Sequence, residues 1–134
     1  MKRSLIDTDI LSFFFRNHAK VTACFSDYLD MYGTINISII TYYEIISGLK
    51  HRDAKKQMEA FLSFASENSI IPITDRSVWI SAEIYADLRK TGKPVDDIDI
   101  LIAGTAISNN MALITHNQSH FERIKGLEIE DWSL

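Results

Sequence analysis

Near its amino terminus the chain reads Ser4-Leu5-Ile6-Asp7-Thr8-Asp9, a short apolar run that ends on a carboxylate. Such a run is typical of a buried strand, and we predict a first strand over residues 3–6. In an open parallel α/β sheet, ligands bind at the carboxyl ends of the strands. Asp7 would lie at that end. The sequence therefore predicts a functional site that begins with an acid.

The chain has 134 residues, of which 46% are hydrophobic. This length suits one compact core, so we expect a single domain over residues 1–134. No apolar run approaches the roughly 20 residues that a membrane span needs, which predicts a soluble, cytoplasmic protein without a membrane partner. Cys24 is the only cysteine, and this excludes an intrachain disulfide. The net charge of −4 does not decide the partner, because acids and bases can cluster separately.

Strand-like and helix-like patterns alternate along the rest of the chain. Period-two alternation of isoleucines indicates a second strand over residues 35–39, and short apolar runs indicate further strands near 70–73, 112–115 and 127–129. Apolar residues at helical spacing fill the segments between them. The pattern predicts an α/β/α sandwich with a mostly parallel central sheet of four to five strands, covered by helices on both faces.

Several residues predict where the helices begin and end. Gly33 is placed to end the helix over residues 20–32, because glycine accepts the left-handed cap. Asp53 is of the type that begins a helix, Thr74 or Asp75 would begin the following one, and Asp96 or Asp97 the one after that. Pro72 lacks a backbone N–H, which predicts that the strand near it lies toward an edge of the sheet.

Glu44 stands apart from the apolar stripe of its helix. Tyr42, Ile45 and Leu49 belong to that stripe, whereas Glu44 shares a face with Ser47. Position alone favours a solvated glutamate. Only neighbouring functional groups would make it part of a site.

Asp99 lies near the start of a helix that has no other charged side chain after it. The residues on its own face are Ile102, Ala103 and Ala106. An unpaired carboxylate in these surroundings would cost several kcal/mol or would take a proton, so Asp99 needs a positive partner. A helix cap or a lysine would serve as well as a metal ion.

The three acids can meet at one edge of the sheet. Asp7 ends a strand and Glu44 begins the helix after the next strand, so both belong at the carboxyl edge. Asp99 follows a helix instead of a strand, and we place it there on chemical grounds. Three carboxylates suit Mg²⁺ or Mn²⁺, and such a site fits hydrolysis of a phosphodiester bond.

Four segments together resemble the successive motifs of PIN-domain ribonucleases, and in particular the VapC-type toxins of bacterial toxin–antitoxin pairs. The segments are Ser4–Ser12, Tyr43–Gly48, Gly92–Ala106 and Leu113–Asn117 with Phe121. The resemblance implies a PIN fold, Mg²⁺- or Mn²⁺-dependent endoribonuclease activity, a homodimer and a cognate VapB-like antitoxin. It also implies that Asp7, Glu44 and Asp99 are the catalytic, metal-binding acids, and it makes transfer RNA a candidate substrate.

The chain departs from this family at His120, where many members have an aspartate. An imidazole does not hold Mg²⁺ as a carboxylate does, which leaves a second metal site open. Thr115 and Asn117 are accessory candidates, and Asp96 lies one helical turn before Asp99, where it either compensates or simply caps the helix. His116 and His120 also have a helical zinc-ligand spacing, but hydrogen-bonded histidines are the commoner explanation.

Basic side chains offer contacts for RNA phosphates around the acidic centre. The candidates are Lys50, Arg52, Arg89 and Lys93. Solvated helix ends are the commoner meaning of such runs.

Other classes remain as alternatives. Asp7-Thr8-Asp9 resembles the first motif of haloacid-dehalogenase-like phosphotransferases, but the later lysine and the cap domain are not evident. A phospho-acceptor receiver domain would also need a lysine after its last strand, and none is suitably placed. The non-enzymatic alternative is a PIN-like module that binds RNA or protein without turnover, and His120 is the feature in its favour.

Overall fold

The computed structural model describes residues 1–134 and contains one sheet of five parallel strands in the order β3-β2-β1-β4-β5. Residues 4–6 of β1 pair with residues 112–114 of β4 in register, which places β1 at the centre. The predicted α/β fold with a largely parallel sheet is confirmed. The strands are β1 Ser4–Ile6, β2 Asn36–Ser38, β3 Ser69–Ile71, β4 Ala112–Ile114 and β5 Ile129–Glu130.

Seven helices cover the two faces of the sheet. Because side chains alternate along a strand, Leu5 faces one core and Ile6 faces the other. The core that contains Ile6 is completed by α1 to α4, and the core that contains Leu5 is completed by α5 to α7. The helices are α1 Thr8–Phe15, α2 Ala19–Tyr32, α3 Ile39–His51, α4 Lys55–Glu67, α5 Asp75–Lys90, α6 Asp97–Ser108 and α7 Gln118–Phe121.

Two of the predicted helix boundaries are confirmed. Gly33 ends α2 in the left-handed conformation, with φ of 85°. Thr74 begins α5 with a reciprocal capping box, since its hydroxyl accepts from the Ser77 N–H and Ser77 Oγ accepts from the Thr74 N–H. The strand near Pro72 does lie at an edge of the sheet, as predicted, and it ends at Ile71.

The prediction that Asp53 caps α4 is wrong. Asp53 has a positive φ of 54° in the tight turn between α3 and α4, whereas a capping residue needs an extended backbone. The residue before α4 is Ala54, which has no side chain able to accept a hydrogen bond. Asp96 does precede α6, but its side chain makes no capping hydrogen bond.

Helix α6 is buried on most sides and packs closely on α5. Gly104 faces Ser77 and Ser81, and a Cβ at Gly104 would lie 2.0 Å from Ser81 Oγ and 2.9 Å from the Ser77 carbonyl oxygen. Only glycine permits this approach. The close packing holds α6, the helix that carries Asp99, against α5. None of the seven helices has the length and apolar character that crossing a membrane would require.

Candidate active site

The structure places Asp7 directly after β1, where it begins α1. Its backbone N–H donates to the Ile114 carbonyl at 2.9 Å, which continues the pairing of β1 with β4. Its carboxyl group accepts two hydrogen bonds of 2.8 Å, one from the Thr8 backbone N–H and one from the Thr115 hydroxyl. Only 6% of Asp7 is exposed. The carboxyl group is therefore held in one orientation inside the fold.

The surroundings of Asp7 favour its neutral form. The pKa of the Asp7 carboxyl is raised from 3.8 to about 7, chiefly by burial. The negative charges of Asp9 and Asp99 also raise this pKa, whereas the hydrogen bonds from Thr115 and Thr8 lower it. A raised pKa of this size means that the ionised form lacks positive charge nearby. Without a cation beside it, the Asp7 carboxyl keeps its proton up to about neutral pH.

Glu44 is connected to Asp7 through Thr8. The Thr8 hydroxyl donates to Glu44 Oε1 at 2.6 Å, and it also lies 3.1 Å from the Thr41 hydroxyl on the same helix as Glu44. Glu44 is half-buried rather than freely solvated. The side of α3 that is opposite its apolar stripe therefore faces the start of α1, and Glu44 lies at the same edge of the sheet as Asp7.

Asp99 lies in the first turn of α6 and is bound by His120. His120 Nδ1 is 2.9 Å from Asp99 Oδ2, and because a carboxylate accepts, Nδ1 carries the proton. Asn117 Nδ2 lies 3.4 Å from the same ring nitrogen. The charge of Asp99 also acts on Asp7, which shows that the two acids are near each other. His120 is therefore the partner that was expected for Asp99 from the apolar face of its helix.

Sequence analysis missed Asp9 as part of this site. Asp9 Oδ2 accepts from the His116 backbone N–H at 3.1 Å, and its charge is the largest electrostatic influence on Asp7 after burial. Burial also raises the pKa of the Asp9 carboxyl. The two-residue spacing of Asp7 and Asp9 at a strand end was the available signal. Thr8 and Thr41 were missed as well, because their role depends on a contact between distant helices.

The remaining candidates fall into three groups. Thr115 and Asn117 belong to the site, since the Thr115 hydroxyl accepts from the Asn117 N–H at 3.0 Å while it donates to Asp7. His116 and His120 have separate partners, Asp131 and Asp99, and do not face a shared zinc position. The other predicted side chains are exposed and make no hydrogen bond or salt bridge to the acids. They are Asp96, Lys50, Arg52, Arg89 and Lys93.

The described side chains do not form a group of three or more metal-ligating residues close enough to share one ion. Glu44 is hydrogen-bonded to Thr8, and Asp99 is hydrogen-bonded to His120. The chemistry of the acids nevertheless fits a hard divalent cation. Carboxylate oxygens are the ligands that Mg²⁺ and Mn²⁺ prefer, and the buried Asp7 carboxyl lacks positive charge beside it.

Comparison with known proteins agrees with this fold. The model of the PIN domain family matches residues 4–127. A tRNA(fMet)-specific endonuclease VapC from Shigella flexneri is 32% identical over 135 residues, covering 99% of this chain and all of the relative. A ribonuclease VapC1 from Methanocaldococcus jannaschii is 36% identical over 129 residues, covering 95% of this chain and 86% of the relative.

Solved structures of similar proteins extend the comparison. The DNA-bound VapBC complex from Salmonella typhimurium contains a chain that matches with a TM-score of 0.88 and 29% identity, covering 98% of this chain and 99% of that one. A chain of VapBC2 from Rickettsia felis, bound to a promoter DNA fragment, matches with a TM-score of 0.85 and 28% identity, covering 96% and 98%.

The chain therefore belongs to the PIN-domain family. Its relatives place it among the VapC ribonuclease toxins within that family, which confirms the predicted family, fold and ribonuclease class. The roles of the individual acids remain predictions.

Proposed function

We propose that this chain is an endoribonuclease toxin that depends on Mg²⁺ or Mn²⁺ and uses Asp7, Glu44 and Asp99. The observation that carries the proposal is the buried Asp7 carboxyl, whose pKa is raised to about 7 by burial and by two neighbouring acids. Strongly shifted pKa values of this kind cluster at sites that bind a cation or exchange a proton. The carboxyl edge of the parallel sheet is also where this class of fold binds ligands.

Asp7, Asp99 and Glu44 would hold the divalent ion, with Asp9 adding negative charge close to Asp7. When bound, the ion would activate water and neutralise charge on the phosphate that is hydrolysed. The chain itself supplies position. Thr115 and the Thr8 N–H orient Asp7, and the Thr8 hydroxyl orients Glu44. Asp7 and Glu44 are thus oriented by threonines, whereas Asp99 is held by His120.

The substrate and partners that we propose follow the relatives. The Shigella flexneri relative is named for transfer RNA, so we propose transfer RNA as the substrate class. The structural neighbours were solved as VapBC complexes, and we propose that a VapB-like antitoxin binds this chain. We also propose a homodimer, which is supported by large apolar side chains exposed on α5, including Trp79 at 72%.

The test is cleavage of a transfer RNA pool by the purified chain, freed of antitoxin. Activity should require Mn²⁺ or Mg²⁺, and should be lost with chelator and in Asp7→Asn. The matched control is Asp27→Asn, because Asp27 is an exposed acid on α2 and has no part in the site. Cleavage that persists in Asp7→Asn would overturn the assignment of the site.

One observation favours a binding module instead. The His120 imidazole already occupies one oxygen of Asp99, so the chain would hold RNA without turning it over. A folded protein that binds transfer RNA but never cuts it, with either metal, would support this second function.

A further inference from the structure

A cleft of about 540 Å³ opens beside the candidate active site, between α1, α3 and α4. Glu44 and Thr8 line its end nearest the acids, and Phe15, Arg16, Arg52 and Gln57 line the rest. The volume lies within the range of pockets that hold small organic ligands. Because Glu44 borders both the cleft and the group of acids, one extended ligand can occupy the two at once.

Two arginines at the cleft have no carboxylate partner. The salt bridges of the protein involve Lys2, His116 and His120, and neither Arg16 nor Arg52 takes part in one. The Arg16 guanidinium is held instead over the Phe13 ring, 5.2 Å from its centroid. In a chain with a net charge of −4, two free guanidinium groups at one cleft are available for an anion.

Arg52 is positioned over a gap in α3. Its Nη1 lies 3.5 Å from the point that a Cβ would occupy at Gly48, one helical turn earlier. Gly48 leaves this part of the wall without a side chain, and the guanidinium covers it. The sequence motif Ser47-Gly48 thus contributes space and not chemistry.

An aromatic ring completes the cleft. Phe15 is 38% exposed, and its ring contacts those of Phe61 and Phe64 edge-on, with centroid distances of 6.1 Å and 5.4 Å. These two rings hold Phe15 in place from behind. An exposed ring that is fixed in this way can stack a nucleobase, as aromatic side chains do in single-strand-binding proteins.

We propose that the cleft binds one unpaired nucleotide of the RNA substrate, with its base against Phe15 and its phosphate between Arg16 and Arg52. The proposal rests on the proposed function and deepens it, because the nucleotide would adjoin the phosphodiester bond at the acids. The base must be unpaired, since a base inside a duplex has no face free to stack. Arg16 and Arg52 are then substrate-binding residues that favour single-stranded loops over helical RNA.

Binding can be measured without cleavage. Each variant is made in an Asp7→Asn background, in chelator, and titrated into fluorescein-labelled single-stranded RNA of random sequence while anisotropy is recorded. Phe15→Ala and Arg52→Gln should each weaken binding by about tenfold or more. Arg52→Gln should also reduce the slope of log Kd against log salt by about one, whereas Phe15→Ala should leave the slope unchanged.

The matched control is Arg3→Gln. Arg3 is exposed at the opposite end of β1 from Asp7, so this change removes the same charge away from the cleft. It should alter binding by less than about twofold, as expected for a charge that contacts no phosphate. Circular dichroism checks that Phe15→Ala is folded, and the exposed Arg52 supplies the result if it is not.

Several outcomes would overturn the proposal. The first is that Phe15→Ala and Arg52→Gln both bind single-stranded RNA as tightly as the Asp7→Asn protein does. The second is that duplex RNA competes as well as single-stranded RNA, and the third is that the Asp7→Asn protein does not bind single-stranded RNA. Loss of antitoxin binding with RNA binding intact would assign the cleft to the protein partner instead. Failure of the proposed function is a separate result, because it would appear as missing Mn²⁺-dependent cleavage while the cleft variants still weaken RNA binding.

Discussion

Thr8 and Glu44 are joined by a hydrogen bond of 2.6 Å between α1 and α3, and this bond brings an acid from one helix to the start of another. The Thr8 backbone N–H donates at the same time to Asp7. One residue therefore orients two of the three proposed catalytic acids, through its backbone and its side chain separately.

Thr8→Val tests this relationship, because valine keeps the shape and the backbone N–H but removes the hydroxyl. We expect kcat for RNA cleavage to fall about tenfold, since the loss of one hydrogen bond to a charged group corresponds to about 1.5 kcal/mol. Thr8→Ser retains the hydroxyl and should keep most of the activity. Equal activity of the valine and serine variants would show that Glu44 does not need Thr8.

The buried Asp7 carboxyl predicts an unusual pH dependence of stability. Its pKa is about 7 in the folded protein and 3.8 in the unfolded chain, so the folded state binds the extra proton between these values. The free energy of unfolding should therefore fall as the pH rises from about 4 to about 7 in chelator. The full shift corresponds to about 4 kcal/mol. Burial raises the pKa of Asp9 too, and adds to the fall.

Asp7→Asn removes the ionisable group and should be more stable than the wild type above pH 7 in chelator, while it loses all activity. The amide oxygen can still accept from the Thr8 N–H, so the start of α1 is kept. Urea unfolding at pH 5 and at pH 8 measures the difference. A variant that is less stable than the wild type at pH 8 would contradict the cost assigned to the buried charge.

His120 should weaken binding of a divalent ion, because it occupies the Asp99 oxygen that a metal would need. His120→Asp removes this competitor and adds a hard oxygen ligand, so we expect Mn²⁺ affinity to rise by about tenfold or more. Isothermal titration calorimetry gives the affinity and the number of ions bound. His120→Asn serves as the control that removes the imidazole without adding charge, and it should show a smaller gain.

Local patterns predicted the elements of this fold better than they predicted the site. The strand at Ala112–Ile114 is a continuous buried run, which the sequence shows directly. Gly33 ends its helix because glycine adopts the left-handed conformation easily, and this preference belongs to the residue itself. The prediction that Asp53 caps α4 was wrong because aspartate suits both a helix cap and a left-handed turn. Only the path of the chain between α3 and α4 decides between the two.

The site depends on contacts that no local pattern contains. Asp7 was readable because a strand end is a local feature with a known position in the sheet. The contact between Thr8 and Glu44 joins residues 36 positions apart, so spacing within one helix gave the face on which Glu44 lies but not the group that this face contacts. Arg16 was missed for the same reason, since it lines one cleft with Arg52 only because the ends of α1 and α3 converge there.

The contact between α5 and α6 predicts that Gly104→Ala will destabilise the protein more than any other glycine substitution within a helix. The new Cβ would lie 2.0 Å from Ser81 Oγ and 2.9 Å from the Ser77 carbonyl oxygen. The carbonyl oxygen is a backbone atom, so no change of rotamer can relieve this contact. We expect a loss of about 3 kcal/mol in the free energy of unfolding by urea, since the helices must separate. Activity should fall as well, because α6 carries Asp99.

Gly48→Ala is the matched control within a helix. Its Cβ would come no closer than 3.5 Å to Arg52 Nη1, which is ordinary contact. Because alanine is the better helix former, this variant should gain up to about 1 kcal/mol. If both alanines had the same effect on unfolding, helix propensity alone would explain them, and the close approach of α5 and α6 would not be what holds Asp99 in place.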